Sequence, residues 1–135
     1  MNIDDVSEAT IGAAIEVHRL LGPGLLEKTY ERCLAVELAD RGLGFRRQVR
    51  VPIDYKGTRI DCGYHMDFVV EDCLVVEIKA AAAITPVYIA QVITYLKLAD
   101  KPVGLLINFN VRLLKDGLHR LTRRPANESR PPPVR

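Results

Sequence analysis

The chain has 135 residues, a formal net charge of +2 and a hydrophobic fraction of 48%. These values predict one domain with a core large enough to fold without disulfides. Three cysteines without a CxxC pair indicate neither a zinc site nor a disulfide framework. No apolar run approaches the roughly 18 residues of a membrane span, and the acidic N-terminus is unlike a signal peptide. We therefore expect a soluble cytoplasmic protein that does not associate with membranes.

The first third of the chain is predicted to be helical. Apolar side chains recur at helical spacing over residues 4–21, and the Gly-Pro-Gly segment 22–24 interrupts that spacing. A second helix is predicted for about residues 25–41, because Gly42 is typical of a helix C-terminus.

A change of period marks the start of the strands. After Arg46 the apolar residues alternate with polar ones, which is typical of half-buried strands. Turn signals divide this region into three predicted strands, at residues 47–55, 58–70 and 73–80.

The rest of the chain is predicted to cross over and return to the sheet. Thr85 and Pro86 begin a helix that ends near Ala99. Residues 103–109 have no polar alternation and are predicted to form a buried strand. A last short helix is predicted for residues 113–122. A meander followed by such a crossover implies an α/β or α+β sandwich with a mixed sheet.

The charge is spread unevenly along the chain. Residues 1–110 have 12 basic and 15 acidic side chains, a net charge of −3, whereas residues 111–135 have 7 and 2, a net charge of +5. This is compatible with a polyanionic partner, although a solvated tail would explain it as well. We expect a single domain over residues 1–122 and a disordered, basic, proline-rich tail over residues 123–135.

The segment VVEIKA at residues 75–80 has two charged side chains inside an apolar strand. Glu77 and Lys79 share a face of that strand because side chains alternate. Asp67 lies as far before the turn at Asp72 as Glu77 lies after it. A three-residue turn would put these carboxylates directly opposite each other, and a two-residue turn would make them near-diagonal neighbours. Carboxylates this close repel unless a proton, a cation or Lys79 lies between them.

Such a pair indicates metal-assisted phosphodiester hydrolysis. Oxygen ligands with open positions suit Mg²⁺ or Mn²⁺, and a lysine beside them could orient or deprotonate a bound water or neutralise developing charge. On the following helix, Gln91 and Tyr95 are four residues apart and share a face, with Tyr88 close to it. Taken alone, Glu77 and Lys79 would more simply form a surface salt bridge.

Five residues, in this order, resemble the PD-(D/E)xK nuclease motif with the additional QxxxY motif of RecB-like nucleases: Asp67, Glu77-x-Lys79 and Gln91-x-x-x-Tyr95. Upstream, the segment GLLEKTY at residues 24–30 is similar to the signature of the GxxExxY proteins, a branch of the same superfamily. The resemblance extends over residues 8–122, with Met66 in place of the usual proline before the motif aspartate.

The resemblance implies a restriction-endonuclease-like α/β fold, a mixed sheet flanked by helices in the order ααβββαβα. It implies that Lys79 positions or activates the attacking water, and that Gln91 and Tyr95 orient the substrate or the lysine. It also implies that four groups hold Mg²⁺ or Mn²⁺: Asp67, Glu77, the Ile78 carbonyl and Glu27. By itself, Glu27 would be explained as an acid in the first turn of a helix, and Tyr30 is predicted to be structural.

The function implied by the resemblance is metal-dependent hydrolysis of nucleic acid to a 5′-phosphate, with DNA favoured over RNA. A domain of this size has little surface with which to bind a duplex, so we expect a homodimer. Two alternatives stay open: a catalytically silent module that binds nucleic acid or a protein partner, and an enzyme for another phosphate-bearing substrate such as a nucleotide. Candidate phosphate contacts, each also explained as a solvated surface charge, are Arg46, Arg47, Arg50, Arg112, Lys115, Arg120, Arg123 and Arg124.

Overall fold

The computed structural model describes residues 1–123, so the predicted disordered tail, residues 123–135, lies outside the described residues except for Arg123. The helices in the described part are α1 (Ile3–Leu21), α2 (Glu27–Asp40) and α3 (Pro86–Ala99). The strands are β1 (Phe45–Arg50), β2 (Ile53–Tyr55), β3 (Thr58–Ile60), β4 (His65–Val70), β5 (Leu74–Lys79), β6 (Val103–Asn108) and β7 (Leu118–Thr122). A 3₁₀ turn, Leu114–Gly117, precedes β7.

The central sheet is mixed and has five strands in the order β1-β4-β5-β6-β7. Strands β5 and β6 are parallel and are joined through α3, whereas the other neighbouring pairs are antiparallel. Strands β2 and β3 form a separate hairpin. The predicted class, a mixed sheet flanked by helices with a restriction-endonuclease-like architecture, is confirmed.

Helices cover both faces of this sheet. On one side α1 and α2 pack on Phe68, Val76 and Ile78, all of which are fully buried. On the other side α3 packs through Tyr95 and its neighbours against a second apolar cluster. Helix α3 lies so close to β6 that a Cβ atom at Gly104 would be 2.8 Å from Cγ1 of Val92. The glycine therefore leaves room for the helix. The sheet is therefore held between two layers of helix.

The start of α3 follows from its cap. Thr85 accepts a hydrogen bond through Oγ1 from the Tyr88 N–H at 3.4 Å, and Pro86 is the first helical residue, as predicted. In the described part of the chain, no helix combines the length and apolar character needed to cross a membrane.

The predicted helix over residues 113–122 is wrong. Its second half is strand β7, which pairs with β6 at the edge of the sheet. The leucines of this segment fit a helical spacing, but Gly117 lets the chain approach β6 closely: a Cβ atom there would lie 2.1 Å from the carbonyl oxygen of Asn108. The chain therefore turns tightly against β6 and continues as a strand.

Two predicted strands are each interrupted. Pro52 lies between β1 and β2, where it cannot donate to a ladder. Gly63, with φ of +78°, lies between β3 and β4. The predicted order ααβββαβα thus becomes two helices, five strands, a helix, a strand, a 3₁₀ turn and a strand.

Candidate active site

Asp67 and Glu77 face each other where β4 and β5 separate. The ladder pairs Val70 with Leu74 across a three-residue turn and runs to the pair Phe68–Val76, which puts Asp67 opposite Glu77. Here each strand donates to the carboxylate of the other. The Asp67 N–H donates to Glu77 Oε1 at 2.9 Å, and the Ile78 N–H donates to Asp67 Oδ2 at 2.8 Å. Of the two turn geometries considered, the three-residue turn is the one formed.

Burial makes this carboxylate pair electrostatically costly. Glu77 is only 5% exposed. Burial, reinforced by the charge of Asp67, raises the pKa of Glu77 to about 8. Burial also raises the pKa of Asp67 to about 6, against the lowering effect of its hydrogen bond from Ile78. Without a cation, the pair shares a proton near neutral pH.

The donor set fits a hard divalent cation. Asp67 and Glu77 offer oxygen ligands only, which is what Mg²⁺ and Mn²⁺ prefer. Within residues 1–123 there is no group of three or more His, Cys, Asp or Glu side chains that could hold a metal ion. The protein thus supplies two carboxylates rather than a full cage, which suits an ion that keeps several waters.

Lys79 lies beside the carboxylate pair and is steadied by an aromatic ring. Its Nζ is 4.6 Å from the centroid of the Tyr88 ring, at the start of α3. Its charge lowers the pKa of Glu77, although burial and the Asp67 charge dominate there. Among the residues that the structure describes, Lys79 makes no ion pair within 4.0 Å.

Glu27 is the first residue of α2 and lies close enough to Lys79 and Asp67 to interact with their charges. Burial raises its pKa, and the charge of Lys79 opposes that effect. Its charge also raises the pKa of Asp67, after the larger effects of burial and Glu31. Glu27 therefore faces the site, but it does not join Asp67 and Glu77 in a three-residue metal cluster.

Tyr30 holds the loop that leads into α2, whose first residue is Glu27. Its hydroxyl donates to the Gly22 carbonyl at 2.6 Å and accepts from the Leu25 N–H at 3.1 Å, which holds the loop before α2. Its ring stacks on Phe109 at 4.6 Å, and the Phe109 N–H donates to the Lys79 carbonyl at 2.9 Å. Tyr30 is structural, and these contacts connect the start of α2 to the end of β5.

Gln91 and Tyr95 occupy the α3 side of the site. Tyr95 is 5% exposed, and burial, followed by the charge of Glu77, raises the pKa of its hydroxyl to about 12. The phenol therefore stays neutral and close to the carboxylates. Gln91, one turn earlier, is half-buried, and its side chain makes no hydrogen bond within residues 1–123. The ring of Tyr64, which the sequence did not single out, lies 6.2 Å from that of Tyr95 and is 44% exposed.

A cavity of about 610 Å³ opens beside Asp67 on the α2 side. Sequence reasoning missed most of its lining, although the four-residue spacing of Lys28 and Arg32 on one helix face would have signalled a basic stripe. Glu31, one of the lining residues, is buried. The lining residues are Glu27, Lys28, Glu31, Arg32, Arg47, Gln48 and Asp67.

Most of the predicted phosphate contacts are engaged within the protein. Five arginines form ion pairs: Arg46–Asp72, Arg47–Glu31, Arg50–Asp61, Arg120–Asp4 and Arg123–Asp100. Arg112 and Lys115 line a separate cavity of about 490 Å³ beside His18. Arg124 lies outside the described residues. By contrast, Lys28 and Arg32 make no ion pair in the described part of the chain.

One family model and two solved structures are similar to this chain. The family model described as the PD-(D/E)XK nuclease superfamily matches residues 4–121. The alkaline exonuclease LHK-Exo from Laribacter hongkongensis is 17% identical, with a TM-score of 0.47, over 92% of this chain and 73% of its own. LHK-Exo in complex with dAMP is 14% identical, with a TM-score of 0.43, over 87% and 83%. No curated protein matches the sequence. By the family match, the chain belongs to the PD-(D/E)XK nuclease superfamily.

Proposed function

We propose that this chain is a nuclease that hydrolyses the phosphodiester bonds of nucleic acid, DNA in the first instance, with Mg²⁺ or Mn²⁺ as cofactor. The observation that carries the proposal is the pair formed by Asp67, which is half-buried, and Glu77, which is buried. They face each other, with Lys79 two residues after Glu77 on the same strand. Membership of the GxxExxY branch, with Gln91 and Tyr95 as its QxxxY motif, is part of the proposal.

Each site residue has a role that its position supports. Asp67 and Glu77 would hold the ion, with the Ile78 carbonyl as a further proposed ligand and Glu27 acting through a water bound to the ion. When bound, the ion supplies Lewis acidity that polarises the phosphoryl group and acidifies water. Lys79 would hold its proton at Nζ and neutralise charge that develops on the phosphate, or orient the attacking water. Its position over Tyr88 limits the directions in which Nζ can move.

The substrate strand would pass over the cavity next to Asp67. Lys28 and Arg32 are exposed, line this cavity and make no ion pair among residues 1–123. Exposed basic side chains without an ion pair can bind backbone phosphates directly, because no carboxylate of the protein has to be displaced first. Gln91 and Tyr95 would orient the substrate or Lys79 from the opposite side.

The test is cleavage of labelled single-stranded DNA, duplex DNA, branched DNA and RNA in Mg²⁺ and in Mn²⁺. Wild type is compared with Glu77→Gln and Lys79→Met, which preserve size while removing the charge. We expect cleavage by wild type only, its abolition by EDTA, and a 5′-phosphate on the product. Cleavage that persists in both variants would contradict the proposed site.

Other outcomes identify the alternatives. Binding of nucleic acid without cleavage in either metal would favour a silent module of the same fold. Hydrolysis of free nucleotides without cleavage of polymers would favour a nucleotide substrate. The homodimer remains a prediction, and sedimentation showing only monomer at the assay concentration would reject it.

A further inference from the structure

Gln48 has a backbone conformation that its place in the sheet does not explain. It lies inside β1, directly across from Asp67 of β4 by the register of the pairs on either side. Its φ is +50°, in the left-handed region that a glutamine rarely adopts. The other non-glycine residues with positive φ in the described part lie in turns or at a helix C-cap: Lys56, Glu71, Asp72 and Asp100. Isolated strain of this kind is typical of functional sites.

This conformation breaks the alternation of the strand. In a regular strand, Arg47 and Gln48 would point to opposite faces. Here both reach the same carboxylate: Arg47 Nη2 donates to Glu31 Oε2 at 2.5 Å, and Gln48 Nε2 donates to Glu31 Oε1 at 2.5 Å. The positive φ is thus what brings the amide of Gln48 to the α2 side of the sheet.

The same amide group also reaches Asp67. Gln48 Nε2 donates to Asp67 Oδ1 at 3.3 Å, while the Ile78 N–H donates to Oδ2. Both oxygens of Asp67 are therefore held by a donor, which fixes the orientation of its carboxylate. The Gln48 amide thus links Asp67 to Glu31. Glu31 is only 9% exposed and lies on α2, so its carboxylate has little freedom to move.

A glutamine amide suits this place chemically. Its NH₂ group has two N–H donors and no charge, so it can bridge two carboxylates without adding a cation to a site that must accept one. A lysine or arginine at position 48 would instead compete with a metal for Asp67. Each oxygen of Asp67 keeps a further lone pair for a ligand.

We propose that Gln48 is a positioning residue for Asp67: held by Glu31 through a strained backbone, it orients the carboxylate that binds the metal. This inference rests on the proposed function to the extent that Asp67 is taken as a metal ligand. Groups that orient a metal ligand through a hydrogen bond typically change metal affinity or activity by about 10–100-fold when removed.

The test separates the amide from the backbone. Gln48→Gly removes the amide at a φ that glycine accepts readily, and Gln48→Asn keeps an amide that is one methylene too short to span both carboxylates. Lys56→Gly is the matched control, because Lys56 also has a φ of +50° but lies in the exposed turn between β2 and β3. Mn²⁺ affinity is measured by calorimetry, and folding by circular dichroism and thermal melting.

We expect all three variants to fold and to melt within a few degrees of wild type. Both Gln48 variants should bind Mn²⁺ about 10–100-fold more weakly, whereas Lys56→Gly should bind as wild type does. Wild-type affinity in the Gln48 variants, or an equal loss in Lys56→Gly, would overturn the inference. If wild type binds no Mn²⁺, both this inference and the proposed metal site fail. If it binds Mn²⁺ but cleaves no nucleic acid, the proposed function fails alone, and the affinities still decide the role of Gln48.

Discussion

The ammonium group of Lys79 lies 4.6 Å from the centroid of the Tyr88 ring. Lys79 is the last residue of β5, and Tyr88 lies in the first turn of α3, nine residues after the strand ends. The capping of α3 by Thr85 sets the position of this ring, since the Tyr88 N–H donates to Thr85 Oγ1. The start of a helix therefore steadies the cation at the end of a strand.

Replacing Tyr88 by leucine should lower nuclease turnover while leaving the fold intact. A cation–π contact of this kind contributes about 0.5–2 kcal/mol, so kcat should fall roughly 2–30-fold if the contact positions Lys79. Tyr88→Phe, which keeps the ring, should retain most of the activity. Single-turnover cleavage of the preferred substrate measures the effect.

The hairpin formed by β2 and β3 provides a matched control for Tyr88→Leu. Lys56 lies over the ring of Tyr55 at 5.6 Å, in an exposed turn away from the site. Tyr55→Leu removes an equivalent contact and should leave kcat unchanged. An equal loss of activity in both leucine variants would mean that Tyr88 does not act through Lys79.

Neutralising Lys28 and Arg32 should weaken substrate binding rather than chemistry. Both side chains line the cavity next to Asp67 without an ion pair in residues 1–123. Lys28→Gln and Arg32→Gln should each raise KM, leave kcat unchanged, and reduce the dependence of log affinity on log salt by about 1. Titrations of labelled oligonucleotide at several salt concentrations measure this slope.

Arg50→Gln is the control for net charge. Arg50 is exposed, but it already pairs with Asp61 at 2.5 Å, so it is less available to phosphate. We expect its KM and salt slope to match those of wild type. Equal effects at positions 28, 32 and 50 would indicate a general charge effect instead of a subsite.

Removing the Tyr30 hydroxyl should cost stability. It donates to the Gly22 carbonyl and accepts from the Leu25 N–H, and both bonds hold the loop before α2. Tyr30→Phe leaves these two groups without that partner, which should lower the free energy of unfolding by about 1–3 kcal/mol. Urea denaturation checks this value, with Tyr55→Phe as an exposed control that we expect to be neutral. A Tyr30→Phe protein as stable as wild type would show that water replaces the hydroxyl.

The central feature of the site was predictable from local pattern. Asp67 and Glu77 lie symmetrically about a turn, and strand alternation puts Lys79 on the face of Glu77, so short-range geometry was sufficient. The prediction for residues 113–122 failed because the spacing of leucines is the same whether or not Gly117 lies against Asn108, and that contact is tertiary.

Gln48 was missed for a related reason. A positive φ inside a strand leaves no trace in the alternation of apolar residues, and the carboxylate that Gln48 reaches, that of Glu31, lies on α2. Likewise, whether an arginine is available to phosphate depends on a partner distant in sequence, as with Arg50 and Asp61. These features require the assembled sheet and helices.

The raised pKa values of Glu77 and Asp67 predict that the metal-free protein becomes less stable as pH rises. The pKa of Glu77 is raised from 4.5 to about 8 by burial and by Asp67, so the folded state holds a proton that the unfolded state loses above about pH 4.5. The stabilisation is complete below the unfolded pKa and is lost as pH rises through about 8. In EDTA, the free energy of unfolding should therefore fall between pH 5 and pH 8 by on the order of a few kcal/mol.

Glu77→Gln isolates this effect. The glutamine cannot ionise, so most of the decrease in stability between pH 5 and pH 8 should disappear, leaving the smaller contribution of Asp67, whose pKa is raised to about 6. Mn²⁺ should stabilise wild type most at pH 8, where both carboxylates are ionised, and should barely stabilise the variant. Chemical denaturation at pH 5, 6.5 and 8, with EDTA or Mn²⁺, measures all three changes. A wild-type profile as flat as that of Glu77→Gln would mean that the two carboxylates do not share a proton, and that a cation is not needed to hold them together.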